Sequence, residues 1–196
     1  MITLVFFLEE PSAKAMLEGL LPRLFPAEVV PRFVVFEGKQ DLEKQLERRL
    51  RGWLLPDSVF VVLRDQDTGP CGPIKKRLVA MCQAAGHPEV LVRIACRELE
   101  SFYLGDLNAV ERALELDGLE KHSATRKFRD PDRLSRPSDE LKQLTTSKYQ
   151  KLSGTRAIGP ELSLSTNRSH SFKVLVTGLR RVVEHHQAQQ HRSSAP

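Results

Sequence analysis

Six carboxylates follow closely on short apolar runs, and they are the part of the sequence best equipped for chemistry. Glu9 and Glu10 come directly after residues 2–8, which are apolar apart from Thr3. Asp65-Gln66-Asp67 follows the apolar run 58–63 and Arg64, and Glu98 and Glu100 lie just past residues 90–94. A short apolar run bounded by turn signals fits a strand buried on both faces. In open α/β sheets, functional groups gather beyond the carboxyl ends of such strands. If the first and third runs are neighbouring strands, Glu9, Asp65 and Asp67 converge at one edge of the sheet. Carboxylates that share a site need either raised pKa values or a cation between them. Hard oxygen donors of this kind suit Mg2+ or Mn2+. The bland alternative makes Asp65 and Asp67 ordinary turn residues, helped by Gly69 and Pro70. Glu98 and Glu100 stand two residues apart, so on a helix they diverge by about 200°. One of them is then expected to reach the site, with Glu100 the one that could instead cap, pair with a base or face solvent.

The elements that would position these acids alternate. The apolar run 2–8 is followed by helical spacing of Ala15, Met16, Leu17, Leu20, Leu21 and Leu24, with Ser12 as N-cap and Pro22 trimming or kinking the end. Residues 29–36 read as a second strand, and Pro31 demotes its start to an edge. Residues 41–50 read as a charged helix with Leu42, Leu46 and Leu50 on one face. Strand 58–63, helix 74–84 and strand 90–94 complete the alternation. Strands alternating with helices predict βαβ units in a parallel sheet covered on both faces. Short helices are expected over 96–104 and 107–116. Residues 119–139 read as loop or mobile insertion, and 149–160 as irregular because of Gly154 and Gly159. A final helix is expected over 172–183, with Ser171 more suited to capping it than to acting as a nucleophile. Residues 185–196 read as a disordered tail in which nothing would hold His185, His186 and His191 around a metal. Phe102, Tyr103 and Trp53 are expected to pack, and Lys75, Lys76 and Arg77 to lie on a helix surface. The expected organisation is an α/β core over 1–105 and a basic, mostly helical extension over 106–184 packed on it.

Charge divides the chain the same way. The 196 residues carry 30 Lys and Arg against 25 Asp and Glu, a formal net charge of +5. Residues 1–118 hold 15 basic and 18 acidic side chains, whereas residues 119–196 hold 15 and 7. An acidic-to-neutral front half joined to a basic back half points to a polyanion partner, with a merely solvated basic surface as the alternative. Lys148 and Lys151 would share a face if helical and could clamp phosphate, with Arg168 and His170 as companions.

Leu4-Val-Phe-Phe-Leu-Glu9-Glu10-Pro11-Ser12 resembles the first Toprim motif, an apolar strand ending in Glu and a tight turn. Val59-Phe-Val-Val-Leu-Arg-Asp65-Gln66-Asp67 resembles the second, a strand ending in Asp-x-Asp. The segments 97–106, Lys148-Tyr149-Gln150-Lys151 and Asn167-Arg168-Ser169-His170-Ser171-Phe172 extend the likeness from about Leu4 to about Val183. They make the chain similar to uncharacterised bacterial Toprim-like proteins encoded beside ATPases in defence-type gene neighbourhoods, relatives of the nuclease part of OLD proteins and of RloB-like proteins. The resemblance implies a Toprim-like α/β fold and a metal-dependent nuclease acting on DNA or RNA, with Glu9, Asp65 and Asp67 as the Mg2+ or Mn2+ set. It further implies Glu98, Glu100 and Lys148 as catalytic candidates and a partner ATPase in phage defence. The sequence departs from the family at Glu10, where glycine is usual. Glycine would let backbone approach a phosphate closely, whereas Glu10 adds charge and could be a further ligand. Glu10 also favours the alternative of a non-catalytic subunit docked on an ATPase, with a structural or vestigial metal site.

Other classes are disfavoured. No GxGxxG follows the first strand and no GxxxxGK[ST] occurs, against dinucleotide binding and P-loop ATPase chemistry. No nucleophile elbow or paired Ser/His signature supports a small-molecule hydrolase. Cys71, Cys82 and Cys96 lack CxxC spacing, suggesting neither a disulfide framework nor a zinc site and making a reducing cytoplasm the simplest compartment. No apolar run approaches the ~18 residues that span a bilayer, and the apolar start lacks the basic flank of a signal peptide.

Overall fold

A computed structural model describes residues 2–26 and 29–193. Four strands form one parallel sheet: β1 (Ile2–Leu8), β2 (Val29–Val35), β3 (Ser58–Asp65) and β4 (Leu91–Ala95), in the order β2-β1-β3-β4. The connecting helices are α1 (Pro11–Leu24), α2 (Lys39–Arg51) and α3 (Cys71–Ala84). The expected α/β fold with a small parallel sheet is therefore present.

The side-chain alternation of each strand divides the core in two. Leu4, Phe6, Leu8, Val61, Leu63, Leu91 and Ala95 face the layer that contains α1. Val5, Phe7, Phe60, Val62, Val92 and Ile94 face Leu42, Leu46 and Leu50 of α2 and Ile74 and Leu78 of α3. The register sets Leu8 opposite Leu63, so the segments after β1 and β3 emerge side by side. Because β1 leads outward to β2 and the chain then returns past it to β3, strand order reverses between β1 and β3. That is the switch point at which open α/β sheets form crevices.

The rest of the chain packs on the α1 layer: α4 (Glu100–Leu104), α5 (Leu107–Leu114), α6 (Pro137–Leu144), α7 (Lys151–Ile158) and α8 (His170–Ser193). Phe102, Val110, Leu141, Tyr149, Ile158, Phe172, Leu175 and Leu179 join Leu4 and Phe6 in one buried cluster.

Several expectations change. Helix α1 begins at Pro11, and the Ser12 hydroxyl donates to Glu10 Oε1 instead of capping the helix. The helix also continues two residues past Pro22. The stretch expected to be irregular over 149–160 contains α7, and the loop 119–139 contains two 3-10 turns, Glu120–His122 and Pro131–Arg133, and the start of α6. Ser169, not Ser171, caps α8, its hydroxyl accepting from the Phe172 N–H. Ser171 instead donates its backbone N–H to Asp132. Helix α8 runs on through the expected tail to Ser193, because 184–190 is polar but free of glycine and proline. Residues 194–196 and the side chain of His191 lie outside the described residues.

Candidate functional site

Strand alternation continues past the strand ends and sorts the acids into two groups. Glu10 and Asp65 fall on the α1 side, whereas Glu9 and Arg64 fall on the side of α2 and α3.

On the α1 side lies an enclosed cluster. Glu100, only 1% exposed, opens α4 beneath the sheet edge. Its Oε1 accepts a hydrogen bond from the Tyr149 hydroxyl at 2.9 Å, while Oε2 has no partner. The Tyr149 hydroxyl also lies 3.1 Å from Thr155 Oγ1. Tyr149 is aimed inward by a tight turn in which Thr146 and Ser147 adopt φ of 49° and 63°, and its N–H donates to Thr145 Oγ1. Lys151, first residue of α7, pairs with Glu10. Burial pushes the Asp65 carboxyl well above its usual range, and the charges of Glu10, Glu100 and Glu9 push it further. Burial also raises Glu100, against the lowering effects of the Tyr149 hydroxyl and Lys151. Burial works against the Lys151 charge, but Glu10, Glu100 and Asp65 outweigh it and raise its pKa.

On the other side, Glu9 Oε2 accepts the Asp65 N–H at 3.2 Å and lies 3.6 Å from Arg64 Nε. Burial and then the charge of Asp67 raise the Glu9 pKa. Asp67 adopts φ of 56° and faces Arg97 at 62°. The Asp67 N–H donates to the Arg97 carbonyl at 2.7 Å, and the Arg97 guanidinium donates back to the Asp67 carbonyl at 3.3 Å. These left-handed residues turn the chain out of the sheet. The Asp67 carboxylate accepts from Lys39 at 2.8 Å. Arg64 is 4% exposed; it donates to Glu43 while its Nε has no hydrogen-bond partner. Beside Asp67 opens a cleft of about 510 Å³ lined by Lys39, Arg64, Thr68, Gly69 and Arg77.

The six expected acids thus meet unequally. Glu9, Asp65 and Asp67 follow neighbouring strand ends, but Asp65 lies on the α1 side and Glu9 and Asp67 on the other, and of the pair two residues apart Glu100 is the one that joins Asp65. Glu98 instead accepts the Ser138 N–H at 2.7 Å and caps the start of α6. Lys148 and Lys151 do not share a helix face, since α7 begins only at Lys151. Lys148 donates to the Glu115 carbonyl at the end of α5. Arg168 donates to the Ser123 carbonyl, and His170 lies in a separate groove with Arg93, Lys173 and Arg181. Lys39 was not singled out from the sequence at all, and Tyr149 only as part of the Lys148–Lys151 motif. Their long sequence separation from the acids left no local signal of the contact.

Among the described residues, no three Asp, Glu, His or Cys side chains stand in position to hold a metal ion as they are, with Lys39 and Lys151 occupying two of the carboxylates. The chemistry of the donor set nonetheless fits a hard divalent cation. It is all oxygen, three of its carboxyls have pKa values raised first by burial, and it includes the unpartnered, buried Glu100 Oε2.

No curated protein and no solved structure matches the chain. Residues 8–180 match the family described as Domain of unknown function (DUF4276), and the chain belongs to that family.

Proposed function

We propose that the protein is a Toprim-like, divalent-metal-dependent nuclease that hydrolyses phosphodiester bonds in DNA or RNA. The reading rests on one observation: acids from β1, β3 and α4 gather at the switch point between β1 and β3, on a sheet of Toprim-like architecture. Glu9, Asp65 and Asp67 would hold Mg2+ or Mn2+, with Glu10 and Glu100 as further oxygen donors. A divalent cation there supplies a Lewis acid for a phosphoryl oxygen and neutralises charge developing on the phosphate. The chain's own groups do the positioning. The Asp65 N–H fixes the Glu9 carboxylate. The Tyr149 hydroxyl fixes Glu100. Lys39 and Lys151 bring positive charge to the same rim, where they can meet phosphate oxygens. A role in phage defence beside a partner ATPase, suggested by the uncharacterised Toprim-like proteins that the sequence resembles, belongs to this proposal.

The ion pairs Lys39–Asp67 and Lys151–Glu10 favour a second reading, a non-catalytic subunit in which lysines neutralise a vestigial acid site. Incubating labelled DNA, RNA and tRNA with the protein and Mg2+ or Mn2+ separates the two. Cleavage that falls at least 100-fold in Asp65→Asn supports the nuclease. Cleavage equal in wild type and variant removes the assigned role, and no cleavage by the purified chain or its ATPase complex favours the second reading.

A further inference from the structure

The groove in which His170 lies is unlike the acid site, because basic groups in it are left without acidic partners. It runs between edge strand β4 and one stripe of α8, with a volume of about 270 Å³. Arg93 of β4, with Lys173 and Arg181 of α8, lines it. Among the described residues, no carboxylate lies within ion-pair distance of any of these three. Arg93 spends its donors on backbone, from Nε to the Val174 carbonyl at 3.1 Å and from NH1 to the Val92 carbonyl at 2.9 Å. Burial and then the charge of Arg181 make the Arg93 cation harder to keep. Gly178 permits the arrangement, since a Cβ there would stand 2.5 Å from an Arg93 guanidinium nitrogen. An anion entering the groove would meet three cations that no carboxylate of the described residues offsets, and would ease the cost of keeping Arg93 charged.

The geometry of the groove suits a linear polyanion. Residues 170, 173, 177 and 181 repeat at helical spacing down one side of α8. Between residues 170 and 181 the helix rises about 16 Å, long enough to follow several successive phosphates of one strand. The upper end starts at the rim of the acid site. The Cys96 N–H after β4 donates to Ser171 Oγ at 3.3 Å, and Ala95 stands opposite Asp65 in the sheet.

We propose that the groove is the track for the sugar-phosphate backbone of a single nucleic-acid strand, held by Arg93, Lys173 and Arg181 and leading to the acid rim. The choice of ligand rests on the nuclease reading, whereas the groove's avidity for phosphate does not require catalysis. The test is fluorescence anisotropy of labelled 20-mer single strands of DNA and RNA in EDTA, across a salt series. Lys173→Glu with Arg181→Glu changes two exposed side chains, and folding is verified by the thermal melt. The double variant is expected to bind at least 10-fold more weakly. Its salt dependence should be shallower by about 1.4 in the log–log slope, the value for two lost phosphate contacts on a single strand. Asp65→Asn should bind in EDTA at least as tightly as wild type. If cleavage is never seen but the double variant still loses binding, the track stands and the nuclease reading fails. Affinity within twofold of wild type in the double variant, or tighter binding of poly-glutamate than of either strand, overturns the track.

Discussion

At Asp65 burial and charge conflict: burial raises its pKa first, Glu10, Glu100 and Glu9 add to the rise, and Lys151 works against it. Glu9, Asp65 and Glu100 all have folded-state pKa values above their ordinary ones. A raised carboxyl pKa means that the folded state binds the proton more tightly than the unfolded chain. The stability from these groups is therefore complete below the unfolded pKa values, near 4. It is lost as pH rises through the folded values. In EDTA the melting temperature should climb as pH falls from 8 to 5. Asp65→Asn should flatten that slope and raise the melting temperature at pH 8. Thermal melts of both proteins across this range check it, and parallel slopes would contradict it. Divalent metal affinity should move the other way, weakening as pH falls, because ligand carboxylates must be ionised.

At the scale of elements, the strands were legible because their apolar runs are short, continuous and bounded by turn signals. The observed bounds of β1, 2–8, coincide with the expected ones. Helix α7 was not legible, because Gly154 and Gly159 read as breakers. In the fold they are contact residues. A Cβ on Gly154 would lie 2.5 Å from the Tyr149 ring, and one on Gly159 would lie 2.7 Å from the Met16 carbonyl of α1. Small residues here let α7 approach α1 and carry Lys151 to Glu10, a tertiary requirement invisible in local propensity. Backbone cannot yield as a side chain can, so Gly159→Ala should cost about 1–3 kcal/mol of stability by overpacking. Urea denaturation measures this, and an unchanged midpoint would show that the close approach is dispensable. Of the site itself, Glu9, Asp65 and Asp67 were legible as strand-end acids. That Glu98 caps α6 while Glu100 enters the cluster was not, because it depends on the left-handed turn at Arg97, where nothing in the residue type demands positive φ.

The molecule as a whole joins its two charge regimes through the core on the α1 side of the sheet. Leu4 and Phe6 of β1 share a buried cluster with Val110, Leu141, Phe172 and Leu179, so the basic back half covers the sheet face on which Asp65 opens. A fragment of residues 1–105 would expose that apolar face to water. It should fail to fold cooperatively, giving no sharp thermal transition and binding a hydrophobic dye, whereas a cooperative melt would show that the sheet is stable without its cover. The same arrangement explains the split of labour in the charge pattern: acids of the front half collect at the sheet edge, and unpaired cations of α8 run beside it.

If these acids jointly hold one hard cation, direct Mn2+ binding shows it most closely. Titrating the metal-free protein with Mn2+ at pH 8, followed by calorimetry and by loss of the free-ion paramagnetic resonance signal, should give saturable binding in wild type that falls at least 10-fold in both Asp65→Asn and Glu9→Gln. Binding of equal strength in all three proteins, or none in wild type, would contradict it.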